Sequence, residues 1–369
     1  MKKIAAIHFG AGNIGRGLIS KIYQSNNIEI IFLDNNKELV EKLQQKKEYK
    51  INYENEKIET FDNFSIFSSV EKLINSIEDY EIKFISTSIG TKNFQFIKND
   101  LEKIFSKLSN NKINVVAFEN DFMASTILKT IMNDKNENHN YIDCLIDKIV
   151  PNFKMDRDSD LDIYTEKYFE VIFNNKNKKD DLISKNVKWT DDFEPFLYRK
   201  LWIINSTHLM LGYLFRENNN FLYEMQEKDF PKFKELNNIL DTWFSNISLI
   251  LNKEYNFDYS ELEKYIEINK KRIFNKNIKD ETKRLRRDPI KKLKENERVI
   301  SLLNKFKKYN LNYEVLSKLI YEMLTFIEND DQQSKEIGEL VKKEGIIQAL
   351  VKFSNISEDF AKEILKNIK

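Results

Sequence analysis

The chain has 369 residues, more than one hydrophobic core usually spans, so two domains are the default expectation. Apolar residues make up 41% and charged residues 32%, and 60 basic side chains stand against 59 acidic ones, a net charge of +1. A balance this even gives no overall field to attract nucleic acid or an anionic membrane, so neither is expected as a partner.

The single cysteine, Cys144, rules out an intrachain disulfide and a thiolate-rich zinc or iron–sulfur site. With only His8, His139 and His208, a multi-histidine metal site is not expected either. The start reads as a short strand followed by glycines, not as a secretory signal. No run approaches roughly 18 to 20 apolar residues, the length of a membrane span. These features together point to the cytoplasm. Lysine- and asparagine-rich patches such as "FNNKNKKDD" read as solvated loops.

In chain order, "KIAAIHF" reads as a buried strand, "IGRGLISKIYQSN" as a helix and "IEIIFLD" as a second strand. "IKFISTSIG" and "INVVAFEN" are further buried strands, separated by helical spacing in "NFQFIKNDLEKIFSKLSNN". Strands alternating with helices imply right-handed crossovers and a parallel sheet. The pattern changes after Pro151, where "LDIYTEKYFEVIFN" suggests one or two longer strands with antiparallel pairing. From about Asp192 nearly every apolar run has helical period, as in "FPKFKELNNILDTWFSNISLIL" and "VLSKLIYEMLTFIE". The expected division is an α/β domain over residues 1–190 and a mostly helical domain over 191–369.

"HFGAGNIGRG" places Gly10, Ala11, Gly12, Asn13, Ile14 and Gly15 in a G-x-G-x-x-G pattern between a strand and a helix. The first glycine allows the tight turn, the second admits a pyrophosphate to the backbone, and the third lets helix and strand pack closely. The helix N-terminus adds a partial positive charge. Asp34 ends the second strand about 20 residues on, where a carboxylate accepts ribose hydroxyls and repels a 2′-phosphate. The pattern therefore predicts a Rossmann-type domain that binds NAD rather than NADP. His8 reads as a packed or hydrogen-bonded histidine, not a catalytic one.

In "EPFLYRKLWIINSTHLMLGYL", Lys200, Asn205 and His208 fit K-x4-N-x2-H. On a regular helix Lys200 and His208 stand roughly 80° apart, with Asn205 roughly 60° beyond. The three can face one cavity and suit a metal-free alcohol oxidation: a base takes the hydroxyl proton and neutral donors stabilise charge on oxygen. Lysine and asparagine are also this chain's commonest polar residues, so spacing alone leaves an ordinary helix surface open.

These stretches, together with "AFEND", "IDKIVP" and "RRDPIKKL", occur in family order, and the chain resembles the polyol-specific long-chain dehydrogenases over most of its length. The glycine segment has the form typical of the branch acting on mannitol 1-phosphate. The resemblance implies reversible NAD-dependent interconversion of D-mannitol 1-phosphate and D-fructose 6-phosphate, without a metal, in a monomer. It implies Lys200 as general base, its ordinary titration near 10.4 lowered by desolvation and by the nicotinamide cation. It further implies Asn205 and Asn120 as oxyanion donors, His208 as the substrate-binding histidine that positions the lysine, and Glu119 as an acid assisting proton transfer. For Glu119, an ordinary acid at a strand end is the equal alternative. The substrate is expected in a cleft between the two domains. Thr207 stands where relatives often carry glycine and Phe118 where cysteine is common, and both are expected to narrow the pocket.

The densest basic cluster is "KRLRRDPIKKLKENERVI", which by itself reads as a solvated helix or a patch for a polyanion. Pro289 breaks any helix there. The resemblance implies that Arg287, Lys291 and Lys292 match phosphate-binding positions, with Arg284 a fourth candidate, since a phosphate dianion needs fixed counter-charge. An unphosphorylated polyol or hexuronate remains the same-class alternative. A non-catalytic NAD-binding sensor is the alternative from another class, though it would have no reason to retain Lys200, Asn205 and His208 together.

Overall fold

The computed structural model describes residues 2–54, 57–150, 160–178, 182–216, 221–227, 232–278 and 280–368. Pro151, where the sequence pattern changes, lies outside them, as do residues 179–181 of the "FNNKNKKDD" patch. The chain divides into two compact units, Met1–Leu197 and Tyr198–Lys369.

The first unit is built on a six-stranded sheet in which every neighbouring pair is parallel. Its spatial order is Phe64–Phe67, Glu29–Leu33, Lys3–Phe9, Tyr80–Thr87, Ile113–Ala117 and His139–Tyr141. Counted along the chain, that is the 3-2-1-4-5-6 order of Rossmann-type sheets, whose switch point lies between Lys3–Phe9 and Tyr80–Thr87. Within Lys3–Phe9, Ile4-Ala5-Ala6-Ile7 is a continuous apolar run because both faces of the strand are covered. Ala5, Ile7 and Phe9 pack into one core cluster and Ala6 into the other.

Two elements differ from the sequence reading. "LDIYTEKYFEVIFN" forms two short strands in different sheets. Ile163–Thr165 lies parallel to Tyr49–Tyr53, and Glu170–Asn174 pairs antiparallel with Cys144–Asp147 and parallel with Lys188–Thr190. The "FNNKNKKDD" patch is not a solvated loop at its start: Phe173 and Asn174 are buried in a strand, and the Phe173 ring stacks on Trp189. Tertiary pairing decides both cases, because a short strand's partners lie outside the window that reveals its period.

The second unit is helical, with Phe233–Tyr255, Tyr259–Ile273, Glu314–Thr325 and Gln332–Glu344 the longest helices. Asp258 and Asp331 cap two of them by accepting backbone N–H groups, and left-handed Asn256 ends a third. Among the described residues no helix is long and apolar enough to cross a membrane.

Two helical segments contain a π-turn. After the glycines, Gly15–Ile19 close with Ser20 N–H bonded to Gly15 O before the α-helix Ser20–Ser25 begins. Leu201–Asn205 do the same between the helices Glu194–Lys200 and Ser206–Leu214, with Ser206 N–H bonded to Leu201 O. Such turns take in one extra residue and concentrate at functional sites. Both coincide with stretches singled out from the sequence.

Candidate active site

The three glycines of the first loop have three different surroundings. Gly10 has φ of +104°, and a Cβ there would stand 2.9 Å from the Ile89 side chain. Gly15 is locked against the loop itself, since its Cβ would fall 2.1 Å from Gly10 O. At Gly12 nothing lies within 4 Å of a Cβ position, so the space above it is open. This is the arrangement a close-approaching phosphate requires. Asn13 and Ile14 complete the turn into the helix. Asp34 follows its strand and turns toward the loop. One carboxylate oxygen accepts Ala11 N–H at 2.7 Å and the other Asn36 N–H at 2.8 Å. The residues present thus fit a dinucleotide with free ribose hydroxyls.

Beneath the loop, His8 is fully buried and bonded to Ser86 Oγ at 2.7 Å and Ser88 Oγ at 2.9 Å. Burial pushes its imidazole down to about 3, so it is neutral at physiological pH. His8 is a packing group, in line with its reading from the sequence. Phe118 packs beside it within the same core, 5.9 Å from the Phe173 ring.

At the end of Ile113–Ala117, Glu119 is buried. Its carboxylate accepts from Thr87 Oγ1 at 2.9 Å, Ile89 N–H at 2.8 Å and Gly90 N–H at 2.9 Å. Burial raises its pKa and these bonds oppose the rise. Asp121 takes Thr91 Oγ1 at 2.5 Å. The two acids therefore tie down the 87–91 turn on either side of Asn120, which is exposed. They do so at the carboxyl end of the parallel strands, where ligands of such sheets bind.

In the second unit, Lys200 and His208 are buried and Asn205 is half-buried. The π-turn between them changes the angles expected from a regular helix. Absorbing one residue removes about 100° of rotation, leaving Asn205 about 40° to one side of Lys200 and His208 about 20° to the other. The three side chains start from a narrower arc than the sequence implies. Thr207 does not narrow a pocket. Its hydroxyl donates to Ile203 O at 2.6 Å and accepts from Trp243 Nε1 at 3.0 Å, which fastens the helix from behind. Phe118, in the core described above, does not line a pocket either.

The basic segment breaks at Pro289 as predicted. Thr282–Arg286 and Pro289–Lys292 are short helices on either side of Arg287 and Asp288. Gly212 admits this segment close to the helix Ser206–Leu214, since a Cβ there would stand 3.0 Å from Leu285 Cβ. The approach brings Asp280 Oδ2 to 3.8 Å from His208 Nε2. Arg284 grips the same carboxylate through Nε and Nη2, each at 2.7 Å. Arg287 is exposed, its Nε on Arg284 O at 3.2 Å. The Lys291 backbone N–H bonds Gln333 Oε1 at 3.1 Å. Lys292 Nζ donates to Leu285 O and Arg287 O. Desolvation, then the nearby Arg298 and Arg284, hold the Lys292 ammonium well below the ordinary lysine range, against Asp288 and Glu297. Arg284, paired with Asp280, and the buried Arg298, paired with Glu297 at 3.1 Å, thus flank Lys292, and Asp280 stands beside His208. Arg286 lies outside this cluster, paired with Glu328 at 2.9 Å and bonded to Gly212 O.

The sequence reading missed Asp280 and Arg298. Asp280 and Arg284 are four residues apart, a helical pairing distance that could have drawn attention to the first. Nothing local marks Arg298. Among the described residues no three His, Cys, Asp or Glu side chains gather to hold a metal ion.

A glycine loop at the switch point of this sheet order defines a Rossmann-type dinucleotide-binding class. Comparison with known proteins narrows it. Residues 4–186 match the mannitol dehydrogenase Rossmann domain and residues 192–368 the mannitol dehydrogenase C-terminal domain. The chain belongs to the mannitol dehydrogenase family and is a polyol-type oxidoreductase. It is 35% identical to a mannitol-1-phosphate 5-dehydrogenase of Mycoplasmopsis pulmonis, over 100% of this chain and 99% of that protein. It is 32% identical to one of Mycoplasma pneumoniae, over 97% and 95%. Among solved structures it resembles Pseudomonas fluorescens mannitol 2-dehydrogenase in ternary complex with NAD and D-mannitol. There the TM-score is 0.77 and the identity 14%, covering 99% of this chain and 90% of that one.

Proposed function

We propose that the chain interconverts D-mannitol 1-phosphate and D-fructose 6-phosphate with NAD, by metal-independent hydride transfer. The observation that carries this reading is the cluster of three basic side chains, Arg284, Lys292 and Arg298, against the two acids Asp280 and Glu297, with Asp280 placed beside His208. A phosphorylated substrate needs counter-charge at a fixed distance from its reacting carbon, and this unit supplies both on one scaffold. Full-length relatives named for that substrate support the same reading.

The first unit is proposed to hold the dinucleotide, with the 10–15 loop against the phosphates and Asp34 on the adenosine ribose. When bound, the dinucleotide supplies the hydride acceptor or donor. Lys200 takes the substrate hydroxyl proton in oxidation and returns it in reduction. Asn205 and Asn120 donate hydrogen bonds to the oxygen as charge develops on it. His208 orients the substrate and the lysine, with the Arg284-bound carboxylate of Asp280 3.8 Å from its Nε2. Glu119 is proposed as a positioning residue, because its carboxylate already fastens the 87–91 turn.

The deciding experiment compares fructose, fructose 6-phosphate and hexuronates as oxidants of NADH. Fructose 6-phosphate is expected to give by far the highest kcat/KM. Similar efficiency with fructose would remove the phosphate site and favour an unphosphorylated substrate. Arg287, exposed on the turn beside that cluster, is proposed as a further phosphate contact, and Arg287→Ala is expected to raise the KM for fructose 6-phosphate roughly tenfold, as loss of a charge-assisted contact does, with NADH affinity unchanged. The lowered Lys292 pKa sets the pH dependence. Above that pKa the free enzyme holds Lys292 neutral, and binding a dianion must take up a proton. The KM for fructose 6-phosphate therefore rises with pH from below the ordinary lysine range, and Lys292→Met abolishes that rise. A KM flat with pH in the unmodified enzyme would remove Lys292 from the phosphate site.

Asp34 sets cofactor choice. Asp34→Ser is expected to weaken NADH and improve NADPH as reductant. Equal use of both by the unmodified chain would contradict this role.

A further inference from the structure

Arg16 is not accounted for by the glycine pattern. It is 5% exposed, and among the described residues no carboxylate contacts its guanidinium directly, though the charges of Asp34 and Asp162 act on it through space. Its Nε donates to Ala11 O at 2.6 Å and its Nη1 to Leu161 O. The Tyr49 ring lies 5.7 Å from its Cζ. On the other side of the loop, Asp34 accepts the Ala11 N–H at 2.7 Å. Ala11 is therefore gripped at both backbone ends, by an acid at its N–H and by a guanidinium at its carbonyl.

This grip has a directional consequence. A trans peptide points its C=O and its N–H to opposite sides. Among the described residues no peptide is cis. The Ala11 carbonyl shares its peptide with the Gly12 N–H. Turning that carbonyl inward to Arg16 turns the Gly12 N–H outward, at the residue with open space above it. A buried cation without a carboxylate partner is also expensive to maintain. An anion above the loop would add to the through-space counter-charge of Asp34 and Asp162.

We propose that Arg16 is a positioning residue of the dinucleotide site, which aims the Gly12 N–H at the pyrophosphate and fixes a positive charge beneath it. The inference rests on the dinucleotide reading of the loop.

The test titrates the full-length chain, Arg16→Met and Arg16→Lys with NADH, ADP-ribose and adenosine, and records melting temperature with and without NADH. For Arg16→Met, NADH and ADP-ribose are expected to bind roughly ten- to a hundredfold more weakly, the effect of losing a charged hydrogen-bond partner. Adenosine, which lacks the pyrophosphate, binds as before. Activity at saturating NADH stays within about threefold. The ligand-free melting temperature changes little, because an apolar group of similar volume often replaces a buried charge without loss, while the shift on adding NADH shrinks. Arg16→Lys keeps the charge without the fork and recovers part of the affinity.

NADH affinity in Arg16→Met within about threefold of the unmodified chain overturns the inference alone. So does an equal loss for adenosine, which marks general collapse of the loop. If Arg16→Met does not fold, Arg16→Lys decides, and unchanged NADH affinity there is equally fatal. Failure of the unmodified chain to bind NADH overturns the dinucleotide reading and this inference together.

Discussion

If Lys200 is the proposed general acid–base group, Lys200→Ala is expected to lower turnover by about two to four orders of magnitude, the usual contribution of such a group. The position allows little else to take its place. Lys200 is 7% exposed and ends the helix Glu194–Lys200 immediately before the π-turn. The following helix, Ser206–Leu214, is buried over most of its length and fastened by Trp243 and Ser206 hydrogen bonds, so the backbone carrying the lysine is rigid. NADH affinity is expected to be nearly unchanged, because the glycine loop belongs to the other compact unit. A small primary amine in the buffer restores part of the rate, and Lys200→Arg does not, since a guanidinium cannot give up its proton. Steady-state kinetics and an NADH titration on the same preparations make the measurement. An alanine variant that keeps more than a tenth of the normal rate would show that another group is the base.

Gly15→Ala and Gly12→Ala give opposite results, although the residues lie three apart in one motif. At Gly15 the added methyl meets Gly10 O at 2.1 Å, with the His8 ring atoms at 3.2 Å below it. The oxygen cannot swing aside, because Gly10 sits at φ of +104° with its N–H bonded to Leu33 O at 2.9 Å. His8 cannot retreat without breaking its bonds to Ser86 and Ser88. The methyl clashes with a backbone atom, so the cost is expected at the upper end of overpacking, about 3 kcal/mol or more, with NADH binding lost alongside it. At Gly12 the methyl meets nothing in the protein. Gly12→Ala therefore leaves the melting temperature in place and weakens NADH by roughly tenfold or more, because the methyl stands where a pyrophosphate approaches. Thermal melts paired with NADH titrations separate the two effects. Normal NADH affinity in Gly12→Ala would show that the loop does not receive the dinucleotide.

The sequence by itself determined what is encoded locally. Strand, glycine turn and helix follow one another within a few residues of "HFGAGNIGRG", and each glycine has a steric reason that holds wherever that local geometry recurs. The parallel sheet was legible for the same reason: a strand buried on both faces is rich in apolar residues in succession, as Ile4–Ile7 and Val115–Ala117 are. The spacing of Lys200, Asn205 and His208 could be read off, but their angular relation could not. Hydrophobic period does not encode a π-turn, and the one at Leu201–Asn205 shifts the three by about a residue's rotation. The roles within the basic segment were decided only by tertiary structure. A cation's role depends on the carboxylate it meets, and Arg286 meets Glu328 from 42 residues away while Arg284 takes Asp280 beside His208. Thr207 and Phe118 likewise looked like pocket residues in the sequence, yet one is held by Trp243 and the other lies among His8, Tyr23 and Phe173. Arg16 is the plainest case. Its place in the chain is inside the motif, but its purpose depends on Leu161, 145 residues on, and on Asp34 across the loop, which only folding brings to it.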